Sequence, residues 1–529
     1  MNRRQFILAS GSAGVTLATL IHTSCHSQSV LPVVIIDEEE LDIKLISKAY
    51  NEGTYSIEDI TSMYLKRIEK IDVNGPRLNS IIQVNPDAIT IAKVLDKELR
   101  AGKSRGPMHG IPVVLKDNID THDGMDTTAG SRALIGSKPL KDSTVAAKLR
   151  EAGAVILAKA NLSEWANFRG EMSSSGWSGH GGLTKNPYVL DRNTCGSSAG
   201  SGASVSANLT VIAIGTETNG SIVCPSTTNG IVGIKPTVGL VSRSGIIPIS
   251  YSQDTAGPMA RTVSDAVICL GALAGQDPSD QKTLNRKALH KPDYTESLKT
   301  EGLKGKRIGY DTSTRGRHLQ VDHLIDQAIK DIEEHGAEVI EIEKVIEGSI
   351  GRHSFNVMLY EYKQGLNDYF KSLGPDAPIK SLQDLIAFNK QDDIELEYFQ
   401  QEYLEQALAK GGLDEQEYLD DLAAMHKGSR EDGIDKVMGE HQLNAIIAPT
   451  GGPAWKTDLI NGDNFSVGSS SPAAISGYPN ITVPMGFIKE LPVGISIYGR
   501  AWSEDVLIEI AYGYEQATMH RRAPKYLKS

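Results

Sequence analysis

Val211-Ile212-Ala213-Ile214-Gly215-Thr216-Glu217-Thr218-Asn219-Gly220-Ser221 runs from β-branched apolar text straight into a turn of small residues. The apolar half reads as a buried strand. Ile231-Val232-Gly233-Ile234 resumes the apolar text, so the turn lies between buried elements and not in an exposed linker. The same alternation runs from about 107 to 275. Ile111 to Leu115 and Ala154 to Ala158 read as strands, Ser143 to Ala152 and Val263 to Ala274 as helices. Strands alternating with helices argue for an α/β fold, a mostly parallel sheet with helices on its faces. Upstream, Asp37 to Tyr50 and Ser56 to Val73 carry apolar residues at helical spacing, with Ser56 and Asp59 placed as a capping pair. From about 315 to 440 the text is charged, acidic and helical in pattern (Asp322 to His335, Phe355 to Phe370, Leu396 to Lys410, Asp414 to Met438). That stretch reads as a helical insertion. Strand-like runs return at Ala445 to Ala448, Ile481 to Pro484 and Val493 to Tyr498, before a closing helix from Ser503 to His520. Because the sheet pattern resumes after the helical stretch, the expectation is a single discontinuous domain over 31–529, with its core at about 40–315 and 440–529.

Composition fits a globular chain. Of 529 residues, 40% are apolar and 23% charged, enough to bury a large core. Fifty-four Lys plus Arg against 66 Asp plus Glu leave a net charge of −12, with no basic stripe, which disfavours nucleic acid as a partner.

The first thirty residues read as an address. Asn2-Arg3-Arg4-Gln5-Phe6 opens an uncharged stretch to Ile21, followed by a polar break. Paired arginines before an apolar run of this length resemble a twin-arginine secretory signal, and the run is short of the roughly 20 residues that span a bilayer. The chain is therefore expected to be exported, to the periplasm or the cell envelope of a bacterium. Cys25, just past the apolar run, is a candidate for a lipidated cysteine that would attach the protein to the membrane, although His22 stands where lipoprotein signals carry a small aliphatic residue. Four cysteines in 529 residues are no disulfide framework, and none shows CxxC spacing. Cys195, Cys224 and Cys269 are expected as buried, small apolar side chains.

Two small-residue runs hold the candidate chemistry, Gly196-Ser197-Ser198-Ala199-Gly200-Ser201-Gly202 and Gly215 to Ser221. Such turns point several backbone N–H groups one way, as an oxyanion requires. A phosphate loop is disfavoured by the missing GxxxxGK[ST] and strand-borne GxGxxG, although Gly200-Ser201-Gly202 resembles part of one, and a Ser-His-Asp hydrolase by the missing GxSxG elbow. HExxH and clustered metal ligands are absent as well. A serine nucleophile without histidine needs another base, and lysine is the usual substitute. Lys116 closes the apolar run Ile111 to Leu115. A lysine at the end of a buried strand loses solvation, its pKa falls, and part of it is neutral near pH 7 to 8.

At this point the motifs carry a resemblance. His109 through Asn118, the Gly/Ser runs through Ser197 and Ser221, Gly233-Ile234-Lys235-Pro236-Thr237, and Asp254 through Val263 resemble, in order and spacing, the amidase signature family, from about residue 40 to the C-terminus. The resemblance implies a central mixed, mostly parallel sheet covered by helices on both faces and a Ser-Ser-Lys triad. Ser221 would be the nucleophile, Ser197 the bridging serine after a cis peptide bond at Gly196, and Lys116 the base. The N–H groups of Thr218, Asn219, Gly220 and Ser221 would form the oxyanion hole, with Ser173 and Ser198 as candidate supporting residues. It implies no metal and no cofactor, and an amide substrate cleaved to acid plus ammonia or amine. Val223 stands where many members carry an arginine suited to a substrate carboxylate, which points to a neutral substrate. Glu217 and Asn219 make the run most like the peptide amidases, which act on C-terminally amidated peptides. The alternative is an A-type amidotransferase polypeptide, working within a complex; for a free enzyme a monomer or homodimer is expected. Asp142, Asn161 and Glu164 read either as groups fixing backbone near the site or as ordinary caps. Tyr360, Tyr362, Phe370 and Trp455 are expected to pack on helical faces in preference to lining a substrate funnel.

Overall fold

The computed structural model describes residues 40–284 and 293–529, so the leader and Cys25 lie outside the described residues. Thirteen strands are present among them: β1 (Ile81–Val84), β2 (Pro112–Lys116), β3 (Val155–Ala160), the short pair β4 (Trp177–Ser178) and β5 (Gly182–Leu183), β6 (Ile212–Glu217), β7 (Val232–Lys235), β8 (Thr255–Ala260), β9 (Arg307–Asp311), β10 (Glu338–Ile342), β11 (Ala445–Pro449), β12 (Asn480–Ile488) and β13 (Leu491–Tyr498). Eleven of them form one sheet in the order β1-β3-β2-β6-β8-β7-β12-β13-β11-β9-β10. Helices flank this sheet, and its two ends come from the two halves of the chain. The expected large α/β domain is therefore present, and the resumption of strand text after residue 440 is the return of the chain to the same sheet.

The sheet is mixed. β2 runs parallel to β3 and to β6, and β9 parallel to β10 and to β11. Every other neighbouring pair is antiparallel, so parallel pairing occupies two blocks and does not dominate. Alternation of strand and helix in the text gives no direction to β8, which returns alongside β6, or to β12 and β13, which are joined by a tight hairpin. β2, β3 and β6 are buried along their whole lengths, which is why their sequences are near-continuous apolar runs.

The helical stretch is not helical throughout. It supplies the helices Leu319–Glu334, Ile350–Ser372, Leu382–Asn389, Glu402–Ala409 and Gln416–Ser429, but also β10. Glu338 and Glu341 lie exposed on this terminal strand, where charge protects an open edge; the same charges make its sequence look like a solvated helix. Tyr360, Tyr362 and Phe370 are buried on Ile350–Ser372 and pack in the core. Ser56 and Asp59 form the reciprocal cap expected of them, with Ser56 Oγ accepting from Asp59 N at 3.1 Å and Asp59 accepting from Ser56 N at 2.9 Å. The closing helix, Glu504–Thr518, buries Leu507, Ile508, Ile510 and Tyr514. Each such aliphatic side chain contributes about 1.5 to 3 kcal/mol of burial. Among the described residues no helix is long and apolar enough to cross a membrane.

Candidate active site

β2 and β6 are parallel neighbours with Leu115 opposite Ile214, so Lys116 and Thr216, one and two residues farther along, meet at the carboxyl ends of these two strands. Lys116 Nζ lies 2.7 Å from Ser197 Oγ, 2.8 Å from Thr216 Oγ1 and 3.3 Å from the Thr216 carbonyl. Asn118 Nδ2 donates to the same Thr216 hydroxyl at 3.0 Å. None of these contacts carries a full charge. Burial therefore dominates and pulls the Lys116 amine down to about 7, against a smaller upward pull from Asp254 and Glu217. A neutral amine has two N–H donors for Thr216 and one lone pair for the Ser197 proton.

Ser197 follows a cis peptide at Gly196. A Cβ on residue 196 would collide with Ser163 Oγ, so only glycine admits this approach. Ser198 ties the two serine segments together. Its N–H donates to the Ser221 carbonyl at 3.2 Å and its hydroxyl to the Thr216 carbonyl at 3.1 Å.

The turn after β6 is held from three sides. Glu217 Oε2 accepts from Ile222 N at 2.8 Å and Val223 N at 3.1 Å, closing the turn on itself. Thr218 Oγ1 donates to Asp254 Oδ1 at 2.5 Å, and Asn219 Oδ1 accepts from Ser470 Oγ at 2.7 Å. Gly220 takes φ +84°, a left-handed value that favours glycine. Among the described residues no group accepts a hydrogen bond from the N–H of Asn219, Gly220 or Ser221. These donors border a cavity of about 390 Å³ into which Ser221 faces, a size suited to a small ligand. Its wall also includes Met358, Trp455, Asp463 and Phe465. A larger cavity of about 830 Å³ is bordered by Asn118 and Thr216; Ala166, Thr218 and Ile249 border both.

One expectation is overturned. Cys195 and Cys224 are bonded to each other as a disulfide, with Cα atoms 5.9 Å apart, and only Cys269 is a free buried thiol among the described residues. Nothing local foretells this, because the partners are 29 residues apart and meet only when the segments of Ser197 and Ser221 are brought side by side. Both sulfur-bearing residues line the cavity.

Lys116, Ser197, Ser198 and the turn from Thr218 to Ser221 thus converge. Ser173 does not line the cavity; its hydroxyl accepts from Gly170 N at 3.0 Å, closing a turn. Asn161 and Glu164 hold the turn around β4: Asn161 Oδ1 accepts from Ser178 Oγ at 2.7 Å and Glu164 Oε2 from Gly179 N at 2.6 Å. Asp142 pairs with Arg150 at 3.0 Å, away from the cavity. Trp455, expected on a helical face, instead forms cavity wall. Thr216, Asp254 and Asp463 also neighbour the site; the first two lie inside the quoted motifs, which give them no role, and Asp463 lies in none. Thr216 alone has a usable signal, since it ends the apolar run of β6 much as Lys116 ends that of β2.

A sequence profile described as amidase matches residues 59–508. A native peptide amidase from Stenotrophomonas maltophilia superposes with a TM-score of 0.88 at 48% identity, over 92% of this chain and 99% of that one. A probable amidase of Arabidopsis thaliana is 41% identical over 92% of both chains. A glutamyl-tRNA(Gln) amidotransferase polypeptide of a Cyanothece strain is 34% identical over 92% of this chain and 99% of its own. With a lysine brought to a serine across two parallel strands and a second serine beside unpaired N–H donors, on a chain so closely matched along its length, the protein belongs to the amidase signature family and is an amide-hydrolysing enzyme.

Proposed function

We propose that the protein is an exported serine amidohydrolase that releases ammonia from primary amides, C-terminally amidated peptides foremost, through an acyl-enzyme on Ser221. The observation that carries the reading is Lys116 Nζ at 2.7 Å from Ser197 Oγ, with burial bringing the amine to about 7. Neutral Lys116 takes the Ser197 proton as Ser197 takes that of Ser221, and Ser221 Oγ attacks the amide carbon. The N–H groups of the Thr218–Ser221 turn receive the oxyanion, each such donor contributing about 3 to 4 kcal/mol to the barrier reduction. Ser197 then returns a proton to the leaving nitrogen, the C–N bond breaks, and ammonia departs. Water delivered through the same relay splits the ester, releasing the acid and restoring the Ser221 hydroxyl.

Identity of 48% to a peptide amidase supports the substrate class, as does Val223 in the cavity wall in place of a cation. The lower identity to the amidotransferase polypeptide favours a free hydrolase over a member of a complex. Export is supported by the Arg3-Arg4 leader and by the Cys195–Cys224 disulfide, a bond that persists mainly in oxidising compartments. The test is ammonia release from a panel of aliphatic, aromatic and peptide C-terminal amides by the mature enzyme beside Ser221→Ala. Release that disappears in the variant is expected; a folded wild-type protein inert on every amide would sink the reading.

A further inference from the structure

The wall of the active-site cavity contains a single ionisable side chain, Asp463, among the described residues. Its carboxylate is held firmly: Oδ1 accepts from Ser175 N at 3.1 Å and from Trp455 Nε1 at 3.3 Å, and Oδ2 from Ser175 N at 3.1 Å and Ser175 Oγ at 2.5 Å. All of these donors are neutral. Burial raises the Asp463 pKa above the usual carboxylate value, these hydrogen bonds hold that rise back by favouring the ionised form, and among the described residues no cation pairs with it. The basic side chains nearest in sequence to this wall are engaged elsewhere, since Lys456 and Arg192 both turn to Asp191, at 3.3 and 3.5 Å. Beside the carboxylate the cavity is aromatic. Phe465 stands edge-on to Trp455 with ring centres 5.8 Å apart, and Phe168 completes the lining. Ring faces carry negative potential and attract cations at about 6 Å or less. Residue 223 is valine, so no cationic side chain on this wall is there to hold a substrate carboxylate.

We propose that Asp463, with Trp455 and Phe465 beside it, makes this cavity a selector for positively charged amides, so that among amidated peptides it takes those with a basic residue near the cleaved bond and turns away acidic ones. The inference rests on the amidase reading and names the substrate class within it. A half-exposed carboxylate in the wall acts over several ångströms and stays open to screening by salt, stabilising a bound ammonium or guanidinium and opposing a second carboxylate. Asp463 works here as a fixed charge; its hydrogen bonds to Ser175 and Trp455 keep it in place and leave no need for direct contact with the substrate.

The test uses two sets of three N-blocked dipeptide amides, one set for each of the two positions, whose members differ only in a lysine, norleucine or glutamate side chain. Ammonia release is read as kcat/KM at low salt and at about 0.5 M salt. The expected order is lysine, norleucine, glutamate, with at least about tenfold between the first and last at low salt, and a clear narrowing at high salt as exposed charge is screened. In Asp463→Asn the lysine-to-glutamate ratio falls to within about threefold, whatever happens to the absolute rates, because the ratio cancels any general loss of activity. An unchanged ratio in the variant overturns the inference, as does a wild-type preference that ignores salt. Should the variant not fold, the salt series on the wild type decides alone. Equal rates for the three amides in both sets overturn this inference only; no ammonia from any of them brings down the amidase reading and this inference with it.

Discussion

Two lysines, both fully buried, lie on adjacent strands, and only one of them is built to act as a base. Lys116 ends β2; Lys159 lies on β3, paired in register with Leu115 one residue earlier. Lys159 Nζ donates to the Ile119 carbonyl and to Thr127 Oγ1, each at 2.7 Å, and has the Asp117 carboxylate at 3.9 Å. Burial leaves its pKa lowered, as it does for Lys116, but Asp117 and Asp120, and more weakly Asp123 and Asp126, offset part of that fall. Lys116 meets only hydroxyls and a carbonyl at short range, and falls to about 7. Desolvation alone therefore does not make a base. What decides is whether the pocket also supplies a counter-charge.

The comparison breaks most sharply under deletion. Lys116→Met is expected to lower kcat/KM by about 10⁴-fold or more, as loss of a catalytic triad member does, while the protein stays folded. Removing a lysine whose protonated form is penalised by burial should even raise Tm, and by more at pH 6 than at pH 9. The sign follows from linkage: the folded pKa is below the unfolded one, so the wild type's penalty is full below about pH 7 and fades as pH rises toward the unfolded value of 10.5. Lys159→Met should do the reverse, costing about 3 to 5 kcal/mol by leaving Asp117 buried without its partner, and lowering activity only as the folded fraction falls. Paired kcat/KM and thermal unfolding measurements distinguish the two.

A gentler change tests the counter-charge itself. Wild-type kcat/KM is expected to rise with pH through a midpoint near 7, because the protonated amine cannot accept from Ser197. Thr216→Asp places a carboxylate where Lys116 now meets a hydroxyl, giving it the surroundings of Lys159. The midpoint should move up by at least about one unit, with activity lower at pH 7 and recovering in alkali. A profile that stays in place would show that the hydroxyl network, not charge, sets the amine.

Smaller again is the effect of the disulfide, which adjusts the distance between the two serine segments without touching the lysine. The Cys195→Ala, Cys224→Ala double variant should lose about 2 to 4 kcal/mol of stability and several-fold in kcat, with its pH midpoint unchanged. Ser173→Ala closes the series. Because its hydroxyl serves only the Gly170 turn, activity should stay within about twofold of wild type.

How much of this could be read in advance follows the range of the interactions. β2, β3 and β6 were visible as apolar runs because they are buried on every side, and the glycine at 220 marked its turn because the left-handed backbone leaves little other choice. Lys116, Ser197 and Ser221 stood out through the motif text around them. β10 was hidden by its own edge charges. The disulfide, the Asp254 contact to Thr218 and the Asp463 wall join positions 29, 36 and 288 residues apart, distances over which no local pattern carries information.

The bond between Cys195 and Cys224 also bears on how the enzyme is prepared. A polypeptide made in a reducing cytoplasm leaves the ribosome with two thiols beside its nucleophile, and whether they close depends on the lysis buffer, the air and the time on the bench. Batches from different hosts would then differ in specific activity while sharing one sequence. A thiol added to an assay as a preservative becomes a reagent, and counting free sulfhydryls on each preparation belongs beside measuring its concentration.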